Sequence, residues 1–275
     1  MVCITAQRQG EFSYFRAAFS ICQSIFGETV SAHTSFISVM KTDGGTQLNS
    51  NKRSDFVGYG VKIEVWGSLA LFCRPEMKAE RVSYDVPTPS AARGILEAIY
   101  WKPEIRYKID SIYVCNPIRF TNIRRNEVSV KLHCGDGLDA LNGGKAPYLY
   151  APAFIQQRAA MLLRDVRYVI EAHFELTGKG GERDSEEKHY AILMRRLKKG
   201  QCFHQPCFGC REFPASFRLF ESETVPTAPE NMGKRDLGYM LYDMDYSDSQ
   251  NIRPTFFHAV MCDGRIDVAG SEVVS

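Results

Sequence analysis

The segment from Asp165 to Leu176 alternates apolar and polar side chains more regularly than any other part of the chain. A period of two places successive side chains on opposite faces of a strand, so this pattern predicts a β-strand with one buried face. Its predicted inward positions are Val166, Tyr168, Ile170, Ala172 and Phe174. Further strands are predicted at Val61–Gly67, at Ile105–Val114 and, more briefly, at Val128–Leu132.

A first helix is predicted between two prolines. Thr88 is suited to the N-cap and Pro89 to the first helical position, while Pro103 stops the helix just before it. At 100° per residue the segment has one apolar stripe, made of Ala92, Ile95, Leu96 and Ile99. Tyr100 is expected at the border between this stripe and solvent.

A second helix is predicted after the glycine-rich loop at 177–183. Asp184 as N-cap and Glu187 at the third helical position match a capping box, and Gly200 marks the end. The predicted buried stripe is Tyr190, Leu193, Met194 and Leu197, the opposite face carries Lys188, Arg195 and Lys199, and the flank carries His189 and Arg196.

This order of strands and helices predicts an α+β fold, in which helices cover one face of an antiparallel sheet in the split βαβ, ferredoxin-like arrangement. Short strands and turns are expected after Gly200. Residues 1–60 carry little periodic signal and include a polar, Gly- and Asn-rich stretch at 42–53, so they are predicted to be an irregular N-terminal extension.

The net charge of +2 is too small to make the whole chain a polyanion binder, so any nucleic-acid contact must come from local clusters. One basic cluster lies in the loop predicted at 119–127, and a second lies between Lys188 and Arg211, where no acid occurs. A solvated charged surface is the alternative interpretation of both. The candidate RNA-binding residues are Arg119, Arg124, Arg125, Arg195, Arg196 and Lys199.

Hydropathy and cysteine usage indicate a soluble, cytoplasmic protein. Charged residues or glycine interrupt every apolar run before the ~20 residues that a membrane-spanning helix needs. The nine cysteines are an odd number without framework spacing, which suits free thiols in a reducing compartment. Neither a Walker P-loop nor a G-x-S-x-G or H-E-x-x-H motif is present, so mononucleotide hydrolases, hydrolase elbows and zincins have no support.

Lys188 and His189 form the most suggestive pair, because the first turn of a helix attracts phosphate through its free N–H groups and positive dipole end. RNA cleavage suits such a set, since the nucleophile, a 2′-hydroxyl, already belongs to the substrate. Histidine titrates near neutral pH and can move protons, while lysine can stabilise the phosphorane. An exposed lysine beside a structural histidine is the alternative.

A zinc site is a rival interpretation of the segment after the second helix. It would use Cys202, His204, Cys207 and Cys210, but a second separated ligand pair is missing, so free thiols are the default. His173 and His258 are expected to be structural.

The motifs I-Y-W-K-P at 99–103 and K-H-Y at 188–190, together with VKIEVWG, LGYMLYDMDY and FFHAVMCDGRIDV, closely resemble a known family. They are similar to the CRISPR-associated proteins of family five, Dvulg subtype, of type I-C systems. The resemblance covers the chain from Val61 to the C-terminus, and only the first 60 residues depart from it.

The resemblance implies a RAMP-type protein with a ferredoxin-like RNA-processing domain at 61–200 and a small antiparallel β domain at 201–275. It implies a metal-independent endoribonuclease without a cofactor, which cuts precursor CRISPR RNA at the 3′ base of the repeat hairpin. The family's catalytic residues would then be Tyr100, Lys188 and His189. Its implied partners are the guide RNA and the other type I-C surveillance-complex subunits.

Two alternatives stay open at this stage. The chain could be a scaffold that holds the guide-RNA handle without cutting it, since the same basic residues would serve. The basic surface could also hold duplex DNA nonspecifically, because phosphate contacts carry no sequence information.

Overall fold

The computed structural model describes residues 59–77, 80–130, 134–146, 148–181, 184–248 and 250–274. The predicted N-terminal extension lies almost wholly outside this range, and the proposed domain boundaries at 60 and 200 stay predictions. Within the described residues the chain has an α+β fold with a large, mainly antiparallel sheet and few helices. None of the helices in these residues is long and apolar enough to span a bilayer.

The sheet has ten strands. Its main path runs β10-β8-β9-β3-β5-β1-β6, while β2 and β4 pair with β5 and β7 pairs with β8. The strands are β1 (Gly60–Ala70), β2 (Arg81–Val82), β3 (Ile105–Val114), β4 (Phe120–Val128), β5 (Ile155–Leu176), β6 (Ser216–Leu219), β7 (Lys234–Asp245), β8 (Arg253–Cys262), β9 (Arg265–Asp267) and β10 (Val273–Val274). The helices are α1 (Pro89–Ile99), α2 (Cys134–Leu141) and α3 (Glu186–Lys199), with 3₁₀ turns at Ala151–Phe154 and Pro229–Asn231.

Strand β5 is the centre of the sheet. Its second half pairs with β1 and β3, so that Ile170 lies opposite both Ile63 and Ile112. The alternation predicted from Val166 to Phe174 is confirmed, because all five apolar positions are buried in the core that α1 and α3 cover.

The first half of β5 corrects the sequence prediction. Residues 120–127, predicted as part of a basic loop, form strand β4 together with Val128 and pair with β5 from Leu163 back to Ile155. Of the strand predicted over 128–132, Val128 is the last residue of β4, Ser129 and Val130 follow it outside the strand, and residues 131–132 lie outside the described residues. The side chains of β4 are mostly polar, so its strand structure comes from hydrogen bonding to a distant partner rather than from a hydrophobic pattern.

Helix α1 begins and ends as predicted. The Thr88 hydroxyl accepts a hydrogen bond from the amide of Ala91 at 3.2 Å, and Pro89 is the first helical residue. Tyr100 follows the last helical residue in extended conformation. The helix therefore stops before Pro103 and turns the chain into β3.

Helix α3 begins one residue later than predicted. Ser185, not Asp184, is the N-cap, and its hydroxyl accepts from the amide of Lys188 at 3.3 Å. Glu187 is therefore the second helical residue and does not complete a capping box with Asp184. The end at Gly200 is confirmed, since its φ of 61° is a left-handed conformation that favours glycine.

Candidate active site

The C-terminal end of α1 meets the first half of α3 at a tyrosine–histidine contact. The Tyr100 hydroxyl and His189 Nδ1 lie 2.9 Å apart. Both side chains are only 2% exposed, so the expectation that Tyr100 borders solvent and His189 lies on a flank is wrong. The extended backbone at Tyr100 points the ring inwards, which a helical projection could not show.

Four contacts fix the end of α1. The Tyr107 hydroxyl donates to the carbonyl of Tyr100 at 2.8 Å, and an Arg196 N–H donates to the carbonyl of Ile99 at 2.6 Å. The backbone amides of Phe203 and His204 both donate to the carbonyl of Ala98. Carbonyls that a helix C-terminus leaves without intrahelical partners are thus satisfied here, and this holds Tyr100 in place.

Arg196 also lies over the ring of Tyr100, with its guanidinium carbon 5.1 Å from the ring centroid. The sequence placed Arg196 among the RNA-binding residues, whereas in the structure it is half-buried and contacts α1. Its position seven residues after His189, two helical turns on, was the signal that could have indicated this contact.

Burial raises the pKa of the Tyr100 hydroxyl, although the positive charges of Arg196 and Lys188 act in the opposite direction. The phenol is therefore neutral at neutral pH and can donate its proton to Nδ1 of His189. With Nδ1 as acceptor, the proton of a neutral imidazole lies on Nε2. The contact fixes the ring orientation, and the direction of the hydrogen bond is tied to the tautomer of His189.

The other ring nitrogen faces Asp184. His189 Nε2 is buried without a hydrogen bond in the described part of the chain, and it lies 4.0 Å from Oδ1 of Asp184. The same carboxylate oxygen lies 2.5 Å from Nζ of Lys188, while Oδ2 accepts from the amide of Gly181 at 3.0 Å. An oxyanion thus sits beside both Lys188 and His189.

The hydrogen bond between Lys188 and Asp184 shifts both groups towards their charged forms. It raises the pKa of Lys188 and lowers the pKa of Asp184. The glycine loop supplies a backbone N–H to the same carboxylate, as phosphate-binding loops do for phosphate. A carboxylate of the chain therefore occupies the position that the sequence predicted for phosphate.

The remaining predicted RNA-binding residues do not converge on this site. Arg124 pairs in register with Ala159 on the first half of β5, and Arg119 is hydrogen-bonded through its carbonyl to Arg164. The tyrosine that supports the site, Tyr107, pairs with Phe174 near the opposite end of β5. Of the other cations, Arg125 pairs with Glu212, while Arg195 and Lys199 are exposed on α3.

The sequence also contains the H-x-E…P-C-x-x-C pattern of zinc deaminases, as His173-x-Glu175 followed by Pro206-Cys207-x-x-Cys210. In the structure His173 lies in β5 and its Nδ1 bonds the carboxylate of Asp110 at 2.9 Å. No group of three or more potential metal ligands comes together in the parts of the chain that are described. The cysteine segment instead brings Cys210 against Cys73, whose hydrogen bond lowers the pKa of the Cys210 thiol to about 7.

Comparison with known proteins gives consistent matches. A family model described as CRISPR-associated protein (Cas_Cas5) matches residues 60–269. A protein of Mannheimia succiniciproducens named CRISPR pre-crRNA endoribonuclease Cas5d is 48% identical over 213 residues, which are 76% of this chain and 94% of that protein. A Thermus thermophilus protein of the same name is 39% identical over 225 residues, 76% of this chain and 90% of that one.

Solved structures agree on the fold. A crystal structure of a CRISPR-associated protein matches with a TM-score of 0.57 at 24% identity, covering 79% of this chain and 97% of that chain. This likeness supports the α+β architecture with its large antiparallel sheet.

Proposed function

The chain belongs to the CRISPR-associated Cas5 family, and from that premise we propose that it is an endoribonuclease that processes precursor CRISPR RNA. The observation that carries the proposal is the Tyr100–His189 hydrogen bond, which leaves a buried, unbonded Nε2 beside Lys188. The substrate is the repeat hairpin, cut at its 3′ base. The protein then stays on the guide RNA as a subunit of the type I-C surveillance complex.

In the proposed reaction the 2′-hydroxyl gives up its proton, its oxygen attacks the adjacent phosphorus, and the bond to the 5′-oxygen of the next nucleotide breaks. The 5′-oxygen takes up a proton, so the products are a 2′,3′-cyclic phosphate and a 5′-hydroxyl. His189 moves a proton at Nε2, and Tyr100 orients the ring through Nδ1. The ammonium of Lys188 stabilises the charge on the phosphorane. Nε2 of His189 exchanges one of the two protons and water exchanges the other, so the proposed reaction needs no metal.

Binding of the scissile phosphate requires one local change. Asp184 now occupies the position between Lys188 and His189, so the phosphate must replace its carboxylate. The amide of Gly181 and the ammonium of Lys188 can then contact a phosphate oxygen in place of a carboxylate oxygen. Removal of the Asp184 carboxylate also leaves Nε2 of His189 free to contact the reacting phosphate.

Three finer statements belong to the same proposal. Residues 61–200 form a ferredoxin-like RNA-processing domain, with residues 201–275 as a small β domain. Arg119, Arg124 and Arg125 at β4 and the cations of α3 hold the RNA phosphates outside the reacting site. The protein acts in the cytoplasm, where thiols such as those of Cys73 and Cys210 stay reduced.

The test is cleavage of a labelled repeat-hairpin RNA in EDTA. We expect wild-type protein to cut the all-ribose RNA and to leave RNA with a single 2′-deoxy at the scissile nucleotide intact. His189→Ala should lower the rate at least ~100-fold, the usual scale of acid–base catalysis. His258→Ala is the matched control, because that histidine is exposed and pairs with Asp236.

A noncatalytic scaffold is the second candidate, and the burial of His189 favours it, since in the free protein no solvent reaches Nε2. It predicts repeat binding by wild-type protein without any product. Cleavage that His189→Ala leaves unchanged, with melting curves that show a folded variant, would rule out the proposed site.

A further inference from the structure

A groove of about 600 Å³ opens beside the candidate active site, between α1, β3 and the end of β7. Tyr107 lines the groove and also donates to the carbonyl of Tyr100. Trp101, the residue after Tyr100, lines the groove as well, and consecutive Cα atoms are only about 3.8 Å apart. One end of the groove therefore adjoins the Tyr100–His189 contact.

The glycine-rich loop forms another wall of the groove. Thr177 and Lys179 line it, and the Thr177 hydroxyl donates to the carbonyl of Pro103 at 2.7 Å. The same loop continues to Gly181, whose amide holds Asp184 at the candidate phosphate position. The same loop thus contributes both to the groove and to the candidate phosphate position.

Exposed aromatic side chains stand at the groove. The indole of Trp101 is 51% exposed and the phenol of Tyr246 is 61% exposed, although both are large apolar groups. Folding gains nothing from leaving such surfaces in water, whereas a nucleotide base can stack on them.

The charge that the groove offers to a ligand is positive. Its lining has four cations against three acids, and one of those acids, Asp243, binds Arg93 through both carboxylate oxygens. Glu97 lies 3.3 Å from Arg93. Among the described residues no ion pair is recorded for three cations of the groove, which are Arg106, Lys108 and Lys179.

We propose that this groove binds the single-stranded nucleotides adjoining the scissile phosphate, with one base stacked on Trp101 and the flanking phosphates on Arg106, Lys108 and Lys179. The proposal rests on the proposed function, since it places the substrate at that same site. The volume of the groove lies within the usual range for small-ligand sites and is large enough for a nucleotide. Aromatic faces combined with cations are the common mode for binding single strands.

An extended peptide is the competing occupant, because β3 pairs with β9 only from Ser111 to Tyr113 and leaves its edge towards the groove open at 105–109 within the described chain. The cations favour RNA, since a peptide strand needs backbone groups rather than positive charge. The experiment below separates the two.

The chain has two tryptophans, so Trp66→Phe leaves Trp101 as the one fluorescent indole. We would titrate this variant with repeat RNA that carries a 2′-deoxy at the scissile nucleotide, with and without its single-stranded flank. We expect the flanked RNA to quench Trp101 fluorescence and the truncated hairpin to leave it unchanged. Quenching by neither RNA would overturn the proposal and favour the peptide.

Affinity gives an independent readout. Trp101→Ala should raise the Kd of the flanked RNA about 5- to 150-fold, the range for loss of one stacked base, and Trp101→Phe should restore most of the affinity. Tyr239→Ala is the matched control, since Tyr239 is 57% exposed and lies outside the groove. An unchanged Kd for Trp101→Ala would overturn the stacking.

The outcomes distinguish this inference from the proposed function. Suppose that RNA quenches Trp101 and Trp101→Ala weakens binding, but wild-type protein does not cleave all-ribose RNA. The groove would then be supported as an RNA-binding site and the nuclease activity would be ruled out. Cleavage that depends on His189, with unchanged Trp101 fluorescence and an unchanged Kd for Trp101→Ala, would support the nuclease activity and rule out the groove as the RNA-binding site.

Discussion

Polar residues that lie near the two ends of β5 are in opposite environments, buried at one end and exposed at the other. Near its last residues Tyr107 supports Tyr100, and both Tyr100 and His189 are 2% exposed. Along its first half β5 pairs with β4, where Arg124 and, just before the strand, Arg119 are exposed and form what we call the basic arm. The same strand thus positions a closed set of side chains at one end and a solvated basic arm at the other.

The difference separates chemistry from affinity. A proton transfer needs groups held within hydrogen-bond distance, which burial and mutual contacts supply at the Tyr100 end. Phosphate contacts need only charge near the backbone of the RNA, and exposed arginines supply that at the arm. Substitutions at the first end should therefore change the catalytic rate, and substitutions at the second should change binding.

The substitution Tyr100→Phe should have the largest effect and tests whether the Tyr100 end controls the catalytic rate. It removes the hydroxyl that orients His189, so we expect kcat to fall on the order of 100-fold while the Kd for repeat RNA changes little. Loss of the bond should cost about 1 kcal/mol of unfolding free energy. Single-turnover cleavage, RNA binding and a melting curve measure the three effects.

The matched control is Tyr113→Phe, which removes a hydroxyl bonded to Glu171 on the same sheet. It should lose a similar amount of stability without losing rate. Because burial keeps the Tyr100 phenol neutral, the wild-type rate should show no tyrosine titration below pH 10. A wild-type activity that rises through a pKa removed by Tyr100→Phe would contradict this role.

The arm should behave in the opposite way. In the double variant Arg119→Ala/Arg124→Ala, we expect the Kd to rise about 10-fold at low salt with kcat at saturation unchanged. Each lost phosphate contact should reduce the slope of log affinity against log salt by about 0.7 to 0.9. Asn126→Ala, on an exposed neighbouring position of β4, is the control. A fall in kcat equal to the fall in affinity would place the arm at the reacting site.

The elements that a local pattern specifies could be predicted from sequence. Thr88 and Pro89 define the start of α1, and the alternation from Val166 to Phe174 defines the buried half of β5. Strand β4 could not be predicted, because its structure depends on pairing with residues 27 to 43 positions away along the chain. The family motifs identified Tyr100, Lys188 and His189 as candidates from their residue types.

The geometry of the candidate site was harder to predict from the sequence. The contacts of Arg196 with Ile99 and of His189 with Tyr100 join residues 97 and 89 positions apart, and no spacing in the sequence expresses such contacts. The placement of Asp184 was wrong by one helical position, since aspartate and serine are nearly equivalent as N-caps. That shift frees the Asp184 carboxylate to contact Lys188.

Substitution of Asp184 should have the smallest effect of these predictions. Asp184 lies at the Tyr100–His189 end, yet its charge should affect RNA binding rather than the catalytic rate. Its carboxylate occupies the position between Lys188 and His189, so an incoming phosphate competes with it. Asp184→Asn should therefore lower the Kd for repeat RNA about 3-fold, in line with the small free energy of an exposed ion pair, and leave kcat nearly unchanged.

Glu186→Gln removes the same charge in the first turn of α3 without a recorded contact to Lys188 within the described residues, so it controls for the general loss of negative charge. Equal gains in affinity for the two variants would assign the effect to long-range electrostatics alone. A loss of kcat for Asp184→Asn as large as that for Tyr100→Phe would instead make Asp184 part of the unit that orients His189. The buried end would then control the rate through both ring nitrogens, with Tyr100 at Nδ1 and Asp184 at Nε2.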